Sequence, residues 1–183
     1  IIMSKKVLII STSPRKGSNS DALAEQFAAG ARTAGHEVEK ISLIGKDIQF
    51  CRGCLACQKT KRCVIHDDAD VIVQKKMLHA DVLVFATPIY YYEMCGQMKT
   101  LLDRANPLYS AEYAFQDVYF LATAAEDGDE VWARAASGLE GWIACFPKAD
   151  LSGVIFGGHA ENVGDIQGSP ALKKAFDAGK AIS

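Results

Sequence analysis

Apolar residues fall along this chain in five short blocks, and the stretches between them carry a helical period. Lys6–Ile10 ends in four consecutive apolar residues, the pattern of a strand covered on both faces. Ser20–Ala34 places Leu23, Phe27, Ala28 and Ala31 on one helical face, and Gly35 closes it. Glu37–Leu43 alternates, which predicts a strand at a sheet edge. Ile44–Asp68 carries neither period and reads as a long loop. A helix is expected over Ala69–His79, a strand over Val82–Ala86, and a helix over Gln97–Arg104 stopped at Asn106-Pro107. Val118–Thr123 predicts a fourth strand and Glu130–Cys145 a helix closed by Pro147. Leu151–Phe156 predicts a fifth strand and Ala171–Gly179 a last helix. Strands that alternate with helices pack as a parallel sheet with right-handed crossovers.

Bulk properties narrow the field. The 183 residues suit one domain, 49% are hydrophobic and 23% charged, and the net charge is −2. A nucleic-acid or anionic-membrane partner would favour a basic surface, so neither is expected. No apolar run approaches the roughly 20 residues of a membrane span. The first residues lack the basic, apolar and small-residue series of a signal peptide, and Ile1-Ile2 before Met3 reads as a remnant or early start. A cytoplasmic location is expected, where the six cysteines read as thiols or ligands rather than structural disulfides.

Val7–Leu23, VLIISTSPRKGSNSDAL, runs from strand through a tight turn into a helix start. The first N–H groups of a helix lack intrahelical partners and lie at the positive end of its dipole, which makes them an anion site. Ser11, Ser13, Ser18, Asn19 and Ser20 add side-chain donors, Arg15 adds a forked cation, and Pro14 and Gly17 shape the turn. The stretch is neither GxGxxG nor a P-loop. A plain Ser/Asn helix cap remains the competing reading.

The stretch after the third strand, TPIYYYEMCG, sets an isoleucine and three tyrosines where a surface loop is expected. A flat aromatic ligand would cover them; a subunit contact would do so too. With a phosphate loop after strand one, the favoured arrangement is an α/β, three-layer, doubly wound five-stranded sheet of flavodoxin-like order 2-1-3-4-5. Its ligand crevice lies beyond strands one and three, where the winding reverses.

STSPRKGSNSDAL together with TPIYYYEMCGQMKTLLDR resembles the NAD(P)H-dependent FMN reductases of the flavodoxin-like superfamily, nearly from end to end. The resemblance implies FMN, its phosphate on Ser11, Ser13, Arg15, Ser18, Asn19 and Ser20, with Pro14 of the same turn beside the cofactor. It also implies an isoalloxazine ring bordered by Thr87, Pro88, Ile89, Tyr90 and Tyr91, with Thr123 and the residues to Asp127 at its other edge. The expected activity is hydride transfer from NAD(P)H to the flavin N5, then delivery of electrons to a small-molecule acceptor or redox protein. A homodimer or homotetramer is implied, with Tyr91, Tyr92 and Trp142 as candidate contacts and Trp142 better read as helix core. No catalytic acid or base is singled out; Tyr90 or Tyr91 could supply a proton, and His159 reads as a turn residue.

Cys51, Cys54, Cys57 and Cys63 form C-x2-C-x2-C-x5-C ahead of His66-Asp67-Asp68. Four thiolates on one loop suit a single metal centre, and the spacing resembles the iron-sulfur flavoproteins, which implies a 4Fe-4S cluster on these four. Zinc uses the same donors. Lys59, Lys61 and Arg62 would equally favour a redox-active thiol. Cys95 and Cys145 are expected to be buried and inert.

Overall fold

The computed structural model describes residues 3–183; Ile1-Ile2 lie outside them. Five parallel strands form the sheet: β1 (Lys6–Ser11), β2 (Glu37–Ser42), β3 (Val82–Tyr90), β5 (Asp117–Thr123) and β6 (Asp150–Gly157). Their spatial order is β2-β1-β3-β5-β6. A sixth, two-residue strand, β4 (Glu93–Met94), pairs antiparallel with the end of β3. The sheet is thus a six-stranded version of the five-stranded one expected, with β4 off the main path.

Strand period two splits the core into two layers. Val7, Ile9, Val82, Val84 and Ala86 pack under α1 (Asn19–Thr33) and α6 (Pro170–Lys180). Leu8, Ile10, Leu83 and Phe85 face the other layer, which holds α4 (Gly96–Arg104) and α5 (Asp129–Ile143). Trp142 joins that second core, stacked on Phe115 and edge-on to Phe85. Edge position leaves β2 only half buried, as its alternation predicts.

Three expectations change. The loop over Ile44–Asp68 contains a short helix, α2 (Ala56–Thr60), with left-handed Leu55 and Lys61 at its two ends. The single helix expected over Ala69–His79 is split into α3 (Asp68–Val71), a π turn (Ile72–Lys76) and a 3-10 turn (Met77–His79). Cys145, expected to be buried, is exposed, because α5 ends two residues before it; Cys95 is buried.

Candidate functional site

Beyond the carboxyl ends of the strands lies an open cleft. Of the residues expected at a flavin, Ser13, Arg15, Ser18, Asn19, Ser20, Pro88, Ile89, Tyr90 and Thr123 line it. Ala124, Ala125, Ala160, Glu161 and Val163 complete the lining. Ser11, Pro14, Thr87 and Tyr91 do not line it. Ser11 is buried at the end of β1, where its carbonyl accepts from Leu43 N–H at 2.9 Å. Pro14 is exposed on the turn. Thr87 Oγ1 accepts from Cys95 N–H at 3.1 Å and donates to Pro88 O at 2.8 Å, so it braces the hairpin from behind.

The start of α1 has the geometry of an anion cradle. Ser18 is the N-cap, and its Oγ accepts from Asp21 N–H at 3.2 Å. The amides of Asn19 and Ser20 precede that bond in the first turn, where no intrahelical acceptor exists. Ser13, Ser18 and Ser20 are all buried against them. Asp21 would repel an anion, but its carboxylate is held 2.6 Å from Lys40 Nζ. Arg15 lies exposed on the loop and donates from Nη1 to Glu161 O at 2.9 Å.

Asn19 has a different role from the one its side-chain donors suggest. Its Nδ2 donates to Ala160 O and Asn162 O, at 3.2 and 2.7 Å. Its Oδ1 accepts from Gly164 and Ile166 N–H, at 3.0 and 3.3 Å. That exhausts the amide's two donors and two lone pairs. Asn19 therefore fastens the loop after β6 to the start of α1, and only its backbone N–H is left for a ligand.

β3 runs four residues past its expected end. Pro88 is in register with Thr123 of β5, at a point where β3 has outrun β1 and is locally an edge. A proline's missing N–H is tolerated there. The chain then turns back at Tyr91 and Tyr92, both in the left-handed region at φ 51° and 63°. Two positive φ values form the tight primed turn that twists correctly for a hairpin, here without the usual Asn or Gly. Tyr91 stands 99% exposed at the tip. Tyr92 Oη donates to Glu126 Oε2 at 2.8 Å, and Arg134 sits 5.8 Å from the centre of its ring. Glu126 raises the Tyr92 pKa by taking that proton's hydrogen bond. The contact ties the hairpin to the loop after β5.

A second pocket gathers Cys51, Cys54, Cys57 and Cys63 around Arg104. Gly53 N–H, Asn106 Nδ2–H and Ile65 N–H donate to the sulfurs of Cys51, Cys57 and Cys63, at 3.4, 3.0 and 3.4 Å. Among the described residues no three His, Cys, Asp or Glu side chains converge closely enough to hold one ion. The donor set nonetheless fits a sulfur-ligated centre. All four thiols line one cavity together with Arg104, whose fully buried Nε has no hydrogen-bond partner among the described residues. His66 lies outside this set, with Nδ1 3.3 Å from Asp70.

Arg104 and Asp67 close the base of the cysteine loop. Arg104 donates to Asp67 through both Nη atoms, at 2.6 and 2.9 Å. Burial alone would raise the Asp67 pKa; Arg104 and the Gln49 and Asp70 amides outweigh it and hold the carboxyl below its ordinary 3.8. A depressed carboxylate contributes stability above its unfolded pKa and loses it as pH falls through the folded one. The urea midpoint should therefore drop from about pH 4 downward, and Asp67→Asn should flatten that limb. At pH 7 the same variant should lose about 3–5 kcal/mol, because a buried guanidinium is left without its counter-charge. Equal acid limbs in the two proteins would contradict this.

A doubly wound sheet with an anion cradle at the β1–α1 turn, beside the end of β3, defines a mononucleotide-binding flavodoxin-like fold. Residues 5–154 match the model of the NADPH-dependent FMN reductase family, and the chain belongs to that family. An iron-sulfur flavoprotein of Archaeoglobus fulgidus is 30% identical over 97% of this chain and 79% of its own length. An iron-sulfur flavoprotein of Methanocaldococcus jannaschii is 39% identical over 56% of the chain, a match that spans about half (53%) of that relative. The NAD(P)H:quinone oxidoreductase of Methanothermobacter marburgensis superposes with TM-score 0.73 at 15% identity, over 99% of this chain and all of that one. An azoreductase from Bacillus anthracis reaches 0.70 at 16% identity, over 98% and 100%. At those identities the solved structures establish the shared fold.

Proposed function

We propose that the protein is an FMN-dependent oxidoreductase that takes electrons from NAD(P)H and delivers them to a small acceptor such as a flavin or quinone. One juxtaposition carries the reading. The buried Ser13, Ser18 and Ser20 and the exposed fork of Arg15 line the same cleft as Pro88, Ile89 and Tyr90. The first group suits a phosphomonoester and the second an apolar ring. Bound FMN would supply hydride acceptance and electron transfer to the next acceptor. The protein's part is to bind and orient. Ser13, Ser18, Ser20, Arg15 and the amides of Asn19 and Ser20 hold the phosphate. Pro88, Ile89 and Tyr90 cover apolar ring surface, while Thr123, Ala124 and Ala125 approach from the end of β5.

Protein loaded with FMN under anaerobic conditions should lose its visible flavin absorbance within seconds to minutes of NADPH or NADH addition. A spectrum unchanged by both nucleotides would sink the reading. Self-association as a homodimer or homotetramer is part of the proposal, with Tyr91 as its contact, and sedimentation of Tyr91→Ser tests it. No helix among the described residues is long and apolar enough to cross a membrane, and the proposed location is cytoplasmic.

A second reading rests on the cysteine pocket. Four thiols and an unpartnered buried Arg104 Nε favour a sulfur-ligated centre, and names among the relatives suit a 4Fe-4S cluster exchanging single electrons with FMN. Iron and acid-labile sulfide assays on anaerobically prepared protein separate the two readings.

A further inference from the structure

We infer that Arg104 is the positioning residue of the four-cysteine pocket, with its Nε–H held in reserve for an anionic sulfur there. The inference rests on the sulfur-ligated reading and assigns a role that none of the four cysteines performs. Arg104 ends α4 and is 2% exposed, among the largest fully buried side chains in the protein. Its guanidinium works on two sides. One side grips both stems of the loop. Nη1 donates to Gln49 O at 2.8 Å, just before Cys51, and Nη2 to Ile65 O at 3.0 Å, just after Cys63. The bidentate pair with Asp67 fixes the fork, and Asp67 Oδ2 in turn accepts from Gln49 N–H at 2.9 Å. Gln49 is thereby held at both its N–H and its carbonyl.

The other side is Nε. It is buried and, among the described residues, unbonded. A buried cationic donor left unmade is costly, so an acceptor is expected at that point. The cavity that Arg104 lines holds the sulfurs of Cys51, Cys54, Cys57 and Cys63; of its other polar side chains, Asp103 accepts from Lys99 Nζ at 2.6 Å, Asn106 Nδ2 donates to Cys57 Sγ, and Arg52 is a cation. The shared chemistry of the acceptor is anionic sulfur, either a metal-bound thiolate or a cluster sulfide. Donors aimed at such sulfur stabilise the more negative state and tune its potential.

Arg104→Lys separates the two sides. Lysine keeps the charge and can reach Asp67, but a single ammonium cannot fork to Asp67 and also present a donor at the Nε position. The test uses full-length protein carrying FMN, prepared anaerobically, with Cd2+ as probe and the sulfur-to-cadmium absorption as signal. Arg104→Lys should weaken Cd2+ binding about 10–100-fold, the usual cost of losing an outer-shell partner, with FMN affinity unchanged. After treatment with ferrous iron and sulfide, any cluster it holds should have a more negative reduction potential than wild type.

The wild-type protein gives a check independent of the variant's folding. With nitrogen-15 in its arginines, the Arg104 Nε–H resonance should move downfield on Cd2+ saturation. An unmoved resonance overturns the inference, as does unchanged Cd2+ affinity in Arg104→Lys or a wild-type loop that binds no Cd2+. If iron and sulfide fail to assemble while the Cd2+ results hold, the cluster reading falls and the role of Arg104 stands.

Discussion

Apoprotein in which Ser13 and Arg15 are both alanine should bind FMN about a hundredfold or more weaker, and riboflavin no weaker than before. Each residue is placed to offer a phosphomonoester one hydrogen bond to a charged group, worth about 1.5–3 kcal/mol. Two such losses amount to two to four decades of affinity at about 1.4 kcal/mol per decade. Riboflavin shares the ring and lacks the phosphate, so it isolates the cradle from the Pro88–Tyr90 surface. The fold should be little affected, because Arg15 is exposed, its one side-chain bond, to Glu161 O, sits at the protein surface, and Ser13 Oγ accepts only from Arg15 N–H of the same turn. Quenching of flavin fluorescence measures both affinities. Equal losses for the two flavins would mean general damage to the cleft, and no loss for FMN would place the phosphate elsewhere.

The second large effect lies far from the cleft. α1 and α6 cross with almost no separation at Gly30 and Gly179. A Cβ on Gly30 would overlap the carbonyl oxygen of Phe176, and one on Gly179 that of Phe27. Both obstacles are backbone, so neither can rotate away, and the helices would have to part. Gly179→Ala should cost about 3 kcal/mol, at the upper end of ordinary overpacking, and lower Tm by about 6–12 °C. Gly141→Ala on α5 is the matched control. Nothing lies within 4 Å of the added methyl there, and alanine is the better helix former. That variant should melt at or slightly above the wild-type temperature. Similar melting of the two variants would show that helix propensity, not the crossing, governs this site.

The sheet was readable because its strands announce themselves locally. Val7–Ile10 and Val82–Phe85 are apolar on both faces since helices cover both, β2 alternates as an edge strand does, and five strands in this order leave little topological freedom. β4 escaped because a two-residue strand has no period, and its turn uses Tyr91-Tyr92 in place of the Asn-Gly that would mark it. Pro88 concealed the last residues of β3 for a related reason. Proline argues against a strand unless one knows that the neighbouring strand has already ended.

The cleft was legible where its residues are close together in the chain, as from Ser13 to Ser20. Ala160, Glu161 and Val163 carry no ligand-like chemistry, and only the fold brings them there. Asn19 looked like a ligand donor because its composition is that of one. Its four bonds to residues 160–166 are long-range and leave no mark in the local sequence. Arg104 was equally hidden. At the end of an amphipathic helix an arginine normally reads as a solvated cap, and nothing nearby announces that Asp67, 37 positions earlier, buries it.

The Asn19 amide also bears on where the protein can be cut. The family-model match ends at residue 154, within β6, which would tempt an experimenter to treat the remainder as a dispensable tail. Yet one carboxamide near the amino terminus stitches that remainder to the cleft beyond the strand ends. A fragment trimmed at residue 154 would forfeit Ala160, Glu161 and Val163 from the cleft lining, and α1 would lose α6 from its flank.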